Sequence, residues 1–338
     1  MKFVVTGGGT GGHLAIAKAL LEAMVSEGDE AVFIGSITGQ DRMWFEKDSA
    51  FAQTHFLNTT GVVNRRGFSK LTALLRVARA AAQARSILRS YRPDAVISVG
   101  GFSAAPASFA AISLGIPFFI HEQNAVTGRL NRLLRRFARL FFSSYDPQSP
   151  VKAYPVNRRL FETARVRTAV ETVIFLGGSQ GAKGINDFAL AVAPMLRERF
   201  IRIIHQCGER DFERVKAAYA ALGIDAELYG FTKELPLLLA RSDLAVSRSG
   251  ASTLWELAAN GLPALYIPYP PAAGDHQYYN ACFLSDRDLS WTVREDVLSP
   301  EDLERILEHG VERASRGLLA LEREDAARQM LGAIKEVC

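Results

Sequence analysis

The chain has 338 residues, 48% hydrophobic and 22% charged, with a mean hydropathy of +0.04, enough apolar mass for one large or two medium cores. A disulfide-stapled miniprotein and a disordered tail are both excluded, and Cys207, Cys282 and Cys338, which form no CxxC and no metal-ligand spacing, read as bystanders in a reducing compartment. The formal net charge of +4 is unevenly divided: residues 1–160 hold 20 Lys and Arg against 10 Asp and Glu, whereas residues 161–338 hold 20 against 26.

Met1 and Lys2 run directly into Phe3 to Val5 and then glycines, so no secretory signal is expected. The longest apolar stretch, Ala104 to Ile120, is broken by Pro106, Gly115 and Pro117, and reads as helix, turn and buried strand, not as a membrane span. Short β-rich runs alternate with longer helical patterns, the pattern of parallel sheets covered by helices on both faces. In the first half the predicted strands are Phe3 to Thr6, Ala31 to Ile34, Ala95 to Val99, Pro117 to Ile120 and Leu140 to Ser143. The alternation lapses around Pro147, Pro150 and Pro155, a linker, and resumes with Val173 to Leu176, Ile201 to His205, Leu244 to Ser247, Ala264 to Pro268 and Trp291 to Val293. Ser299-Pro300-Glu301-Asp302 opens a late helix with a cap, a first-turn proline and early acids. The expected fold class is therefore α/β, with two doubly wound domains.

Two basic segments read as helical. Arg65, Arg66, Lys70, Arg76, Arg79, Arg85, Arg89 and Arg92 interleave with Leu71, Leu74, Leu75, Val77, Ala78, Ala81 and Ala82, and Arg129 to Arg139 holds five arginines. Such a pattern fits either an amphipathic helix resting on anionic lipid or a packed surface helix with a solvated face. Arginine clusters also serve nucleic-acid backbones, but no recognised nucleic-acid module accompanies these.

Three glycine-rich loops follow predicted strands. Thr6-Gly7-Gly8-Gly9-Thr10-Gly11-Gly12-His13 exposes backbone N–H groups where a helix begins, which suits a phosphate or diphosphate. Gly7, Gly9 and Gly12 satisfy GxGxxG literally, so a dinucleotide-dependent oxidoreductase is considered. However, the second strand ends at Ile34-Gly35-Ser36 without the ribose-binding acid, and the Lys of a P-loop is absent too. The other two loops are Gly100-Gly101-Phe102-Ser103 and Gly177-Gly178-Ser179-Gln180-Gly181-Ala182. Together the loops line the strand edge where open α/β sheets bind ligands. His121-Glu122-Gln123-Asn124 crowds four polar side chains after a buried strand; His121 and Gln123 are open to a purely structural reading, and Asn124 is the stronger site candidate. Arg248-Ser249-Gly250-Ala251-Ser252-Thr253-Leu254-Trp255-Glu256 makes a strand exit, turn and helix start, and Glu256, one turn inside, can accept two hydrogen bonds from a ribose diol. Gln277, in Asp275-His276-Gln277-Tyr278-Tyr279-Asn280-Ala281, can hold sugar hydroxyls. Asp286-Arg287-Asp288 reads as a solvated turn, not as a metal-binding DxD.

In this order, TGGGTGGH, HEQN, GGSQGA, RSGAST-x-x-E and HQ-x-x-NA resemble the MurG family (glycosyltransferase family 28), the N-acetylglucosaminyltransferases of bacterial peptidoglycan synthesis, over nearly the whole chain. The resemblance implies a GT-B fold of two Rossmann-like domains facing a deep cleft. Residues 1–157 would form the acceptor- and membrane-binding domain and 158–323 the UDP-GlcNAc-binding domain, with helix 324–338 packing back on the first. It implies inverting transfer of N-acetylglucosamine from UDP-GlcNAc to the C4 hydroxyl of an undecaprenyl-diphosphate-linked muramyl pentapeptide. It further implies peripheral attachment to the cytoplasmic face of the inner membrane through an anionic membrane surface, no nucleic-acid partner, no cofactor and no metal.

Carried over residue by residue, Glu256 would meet the ribose, and Ala251, Ser252, Thr253 and Ser179 the donor diphosphate. Thr232 would read uracil; Asn124 and Gln277 would face the sugar, with Thr10, Gly11 and Gly12 closing over it. Gly8, Gly9, Gly100 and Gly101 would hold the acceptor diphosphate. His13 is the candidate base because an imidazole is the side-chain type whose ordinary proton affinity lies near neutral pH, with a loop-fixing role as its alternative and His121 and Glu122 as reserves. Two departures stand out: Pro155-Val156-Asn157 where many relatives have arginine after Pro-Val, and Leu14-Ala15-Ile16-Ala17 without the Pro-containing insertion. The alternatives are a GT-B transferase with another nucleotide sugar or lipid acceptor, and a noncatalytic nucleotide-sugar-binding scaffold.

Overall fold

The computed structural model describes residues 1–62, 66–178, 181–232, 234–321 and 325–338. The chain forms two compact units, Met1–Val156 with Asp325–Cys338, and Asn157–Glu324.

The first unit runs β1 (Lys2–Thr6), α1 (Gly11–Ser26), β2 (Glu30–Ser36), α2 (Asp41–Phe45), β3 (Gln53–Leu57), α3 (Gly67–Tyr91), β4 (Ala95–Ser98), α4 (Ala105–Leu114), β5 (Phe118–His121), α5 (Arg129–Leu134) and β6 (Leu140–Phe142). Its six strands are all parallel, in the order β3-β2-β1-β4-β5-β6. The inner strands are apolar because helices cover both faces: Phe3, Val4 and Val5 of β1 and Val96 and Ile97 of β4 are fully buried.

The second unit contains α6 (Arg159–Glu162), β7 (Thr172–Leu176), α7 (Lys183–Glu198), β8 (Arg202–Gln206), α8 (Phe212–Leu222), β9 (Glu227–Tyr229), α9 (Leu235–Ala240) and β10 (Leu244–Ser247). It continues through α10 (Ala251–Ala259), β11 (Ala264–Tyr266), α11 (His276–Ser285), β12 (Trp291–Thr292), α12 (Pro300–His309) and α13 (Glu312–Leu321). The sheet order β12-β11-β10-β7-β8-β9 repeats that of the first unit, again all parallel. Ser299 and Asp302 form a reciprocal capping box at the start of α12, with Pro300 in its first turn, as the sequence predicts. The final helix, α14 (Ala326–Val337), belongs to the first unit, where Lys335 pairs with Glu27 and Asp29, each at 2.6 Å.

Both sheets have one more strand than the sequence reading expects. Strand β3 reads Gln-Thr-His-Phe-Leu and β9 has three residues; both are outermost, so neither has the continuous apolar run that betrays an inner strand. The arginine-rich segment 129–139 is helical only to Leu134. It tightens into a 3₁₀ turn over Arg135–Phe137 before β6, correcting the expectation of a helix throughout.

Candidate functional site

In each sheet the strand order reverses between the first and fourth strands, the point where parallel α/β sheets leave a ligand crevice. In the first unit the loops after β1 and β4, Gly7 to Gly12 and Gly100 to Gly101, flank that point. In the second unit the loops after β7 and β10 do so. Two of the three glycine-rich loops thus lie in the first unit, and the third lies in the second beside the Arg248-Ser249-Gly250 turn after β10.

In the first unit, the two loops are stitched together. Gly8 donates its N–H to Gly100 O at 3.0 Å, and Gly9 donates to Asp41 Oδ1 at 2.6 Å. At Gly101, φ is +79°, and an added Cβ would lie 2.1 Å from Gly8 O, so only glycine lets the loops approach. Asp41, the first residue of α2, is fully buried, and its second oxygen accepts Ser36 N–H at 2.8 Å. Burial pushes its carboxyl up, against the pull of those amide donors. The amides of Gly8 and Gly9 therefore serve the loop itself, and the helix-start residues Thr10, Gly11 and Gly12 are those that α1 presents at its N-terminus. Asp41 has no motif in the sequence; only the fold carries it to Gly9.

His13 stands in the first turn of α1. Its Nδ1 lies 2.9 Å from Thr10 Oγ1, and its Nε2 lies 2.9 Å from Gln123 Nε2. The HEQN stretch therefore meets the first glycine loop. Glu122 is buried, with Oε1 accepting Asn124 N–H at 3.0 Å and Oε2 accepting Gly128 N–H at 2.8 Å and Asn131 Nδ2 at 2.9 Å. Three donors tie this carboxylate to shaping the turn into α5. His121 is 1% exposed, and burial holds its imidazole down at about 3, so it stays neutral at physiological pH.

In the second unit, Gly250 caps α10, and the amides of Ala251, Ser252 and Thr253 precede its first intrahelical bond, Leu254 N–H to Gly250 O at 3.0 Å. Glu256 lies one turn further, half-buried, with its carboxyl pushed up to about 7 by loss of solvent. Arg248, just before the loop, braces three neighbouring strand ends. It donates to Ile267 O at 3.0 Å and Pro268 O at 3.3 Å beyond β11, and pairs with Glu295 at 2.5 Å beyond β12. Gln277 accepts Tyr269 N–H at 3.0 Å, and Thr232 Oγ1 accepts Glu234 N–H at 3.0 Å in the loop after β9. Ser179 and Gln180 lie outside the described residues, as does Arg65 of the first basic segment. Asp286-Arg287-Asp288 is an exposed turn, with Arg313 pairing Asp288 at 2.9 Å.

Helix α3 buries Ala73, Ala80, Ala84 and Leu88, and leaves Phe68, Leu71, Leu74 and Leu75 exposed, Phe68 at 80%. The apolar residues at its N-terminal end are therefore an uncovered patch bordered by Lys70, Arg76 and Arg79, which also face solvent. Among the described residues no helix is long and apolar enough to cross a membrane.

Residues 3–143 match the glycosyltransferase family 28 N-terminal domain and residues 172–337 its C-terminal domain. The chain is 56% identical to a protein of Sulfurimonas denitrificans over 98% of its own length and 97% of that protein. It is 54% identical to one of Wolinella succinogenes over 98% of both. Both relatives are described as UDP-N-acetylglucosamine--N-acetylmuramyl-(pentapeptide) pyrophosphoryl-undecaprenol N-acetylglucosamine transferase. The crystal structure of Acinetobacter baumannii MurG superposes with a TM-score of 0.80 at 26% identity, covering 99% of both chains. The architecture is GT-B, with one Rossmann-like sheet in each unit, and the chain belongs to glycosyltransferase family 28.

Proposed function

We propose that this protein transfers N-acetylglucosamine from UDP-N-acetylglucosamine to the C4 hydroxyl of undecaprenyl-diphosphate-linked N-acetylmuramyl pentapeptide, the glycosyl transfer that completes the lipid-linked disaccharide unit of peptidoglycan. The observation that carries this reading is full-length identity above one half to relatives so described, on a chain that carries TGGGTGGH, GGSQGA and RSGAST in that order.

The second unit takes the donor. Glu256 accepts the ribose hydroxyls, and the first-turn amides of Ala251, Ser252 and Thr253, with Ser179, hold the diphosphate against the helix dipole. Thr232 reads uracil through its backbone, while Gln277 and Asn124 meet the sugar, with Thr10, Gly11 and Gly12 beside it. The first unit takes the acceptor. Gly8, Gly9, Gly100 and Gly101 shape the loops for its diphosphate, and the inward use of the Gly8 and Gly9 amides leaves the phosphate contacts to the amides that follow. His13 acts as base. The C4 oxygen attacks the anomeric carbon from the face opposite UDP, its proton passes to the imidazole, and the bond to the diphosphate oxygen breaks with its electron pair leaving on UDP. Fixed amides and helix N-termini meet the leaving charge, so no metal is assigned to the step. The exposed apolar patch and arginines of α3 support peripheral attachment to an anionic membrane, on its cytoplasmic face where the nucleotide sugar is found.

The test is transfer of labelled sugar from UDP-N-acetylglucosamine to the lipid-linked muramyl pentapeptide, with and without EDTA. Product formation unaffected by EDTA is expected. Failure to transfer, or transfer only to a different acceptor, overturns the reading.

A further inference from the structure

Helix α2 and the turn that leads into it stand against the first glycine loop. The helix sequence, Asp-Arg-Met-Trp-Phe, buries two positions one turn apart, Asp41 and Phe45, and leaves Met43 and Trp44 exposed. Phe45 locks the helix into the core against Phe33 and Phe51, with ring centroids 4.6 and 5.2 Å apart, and Asp41 fastens it to Gly9. Ahead of the helix, a Cβ at Gly39 would lie 2.8 Å from Gly9 Cα, so the two backbones are in contact. Trp44 is therefore held on a fixed mount. Its Cζ2 lies 3.7 Å, and Gln40 Oε1 3.3 Å, from the point where a Cβ at Gly11 would stand, so both side chains border the N-terminus of α1. Trp44 is 38% exposed, and Ile37 and Met43 of the same segment are 41% and 75% exposed.

An indole left partly in water keeps apolar surface that the core does not use, and this one stands beside the amides that the proposed function gives to the acceptor diphosphate. We infer that Trp44 is the platform for the acceptor sugar. The muramyl ring is bonded directly to that diphosphate; its apolar C–H face stacks on the indole, and the Gln40 amide, which both donates and accepts, meets its polar edge. The prenyl chain is bonded to the other end of the same diphosphate. An aromatic ring paired with an amide suits a group with an apolar face and a polar rim, whereas a hydrocarbon chain offers the amide no partner and would cost it its water. This inference rests on the reading that the first unit takes the acceptor, and it makes Trp44 a residue that selects what the diphosphate carries.

The experiment uses the full chain and three probes built on one short prenyl diphosphate: the diphosphate alone, the diphosphate carrying the muramyl sugar, and the diphosphate carrying sugar and pentapeptide. Trp44 is the only one of the three tryptophans in the first unit, Trp255 and Trp291 lying in the second, and its emission is read as the difference between the parent protein and Trp44→Phe. Both sugar-bearing probes are expected to change that emission, and the diphosphate alone to leave it as it is. Trp44→Ala is expected to raise KM for the complete acceptor about tenfold, with kcat and KM for UDP-N-acetylglucosamine little changed. Trp44→Phe should recover most of that loss, whereas Trp44→Leu, apolar but without a flat face, should not. An equal response to the diphosphate alone, a response that requires the pentapeptide, or a Trp44→Leu variant with the parental KM overturns the inference. A parent protein that shows the sugar-dependent change in emission but transfers no sugar to the complete acceptor instead overturns the proposed function, so the two failures are distinguishable.

Discussion

The carboxylate of Asp41 accepts the backbone N–H of Gly9 at 2.6 Å across 32 residues of chain, and its other oxygen takes Ser36 N–H at 2.8 Å. One buried side chain thereby fastens the first glycine loop to the end of β2 and to the start of α2. Removing it leaves two amides without their partner in a place water scarcely reaches, a loss of about 1–3 kcal/mol.

Asp41→Ala is accordingly expected to lower the unfolding midpoint and to raise KM for the lipid acceptor. The affinity of the second unit for UDP should not change, because no residue of that unit meets Asp41 in these bonds. Thermal unfolding and UDP titration calorimetry check the pair of outcomes, and an equal loss of UDP affinity would count against a role confined to this loop.

The paired sheets and their glycine loops are legible in the sequence for a physical reason. Inner strands of a parallel sheet are buried on both faces and read as apolar runs, and loops that bring two backbones together must be glycine, as at Gly101. The outermost strands are not legible in this way: Gln53 to Leu57 is half polar, and Glu227 to Tyr229 is too short for a period. Of the candidate site, the residue types and their order along the chain are readable. The partners are not, since Asp41 meets Gly9, Gln123 meets His13 and Glu295 meets Arg248 only through folding. Which amides a glycine loop keeps for itself is decided by such distant contacts, so Gly8 and Gly9 look in sequence like any other phosphate-loop donors.

Arg167 is fully buried in the second unit, and its guanidinium donates to the carbonyl oxygens of Arg165, Leu239, Ser242 and Asn260, and to Asn260 Oδ1. Burial holds its proton affinity down to about 9, which leaves it charged at neutral pH. Five acceptors from three chain segments depend on it. Arg167→Leu removes a charge but strands those acceptors, and a loss of more than about 3 kcal/mol is expected in urea unfolding. Arg167→Lys, with three donors in place of the planar fork, should recover only part of that.

The α3 patch makes a prediction about membranes that is independent of the donor. Replacing Phe68, Leu71, Leu74 and Leu75 by serine removes four exposed apolar side chains from lipid contact, each worth about 1.5 kcal/mol or more when buried. Cosedimentation with vesicles rich in anionic lipid should weaken at least tenfold, while UDP titration is unaltered. Raising the salt should weaken binding of the parent protein as well, because Arg76 and Arg79 act through a screened field.

Glu256 carries a pH dependence whose sign follows from its environment. Burial raises its carboxyl from the ordinary 4.5 to about 7, so the folded protein binds the proton more tightly than the unfolded chain. Its contribution to the stability of the empty protein is therefore fully present at low pH and is lost as pH rises from 4.5 through about 7. Ribose hydroxyls donate to a carboxylate, so binding runs the other way and favours the ionised form. The diphosphate of UDP-N-acetylglucosamine is a diester that does not titrate near neutrality, which isolates the protein group. Affinity for the nucleotide sugar should rise about tenfold between pH 6 and 8 and then level. Glu256→Gln keeps the volume but has no charge to gain, and should bind more weakly than the parent at pH 8 with little change down to pH 6. A flat profile in the parent protein, measured by calorimetry at both pH values, would remove Glu256 from the ribose site.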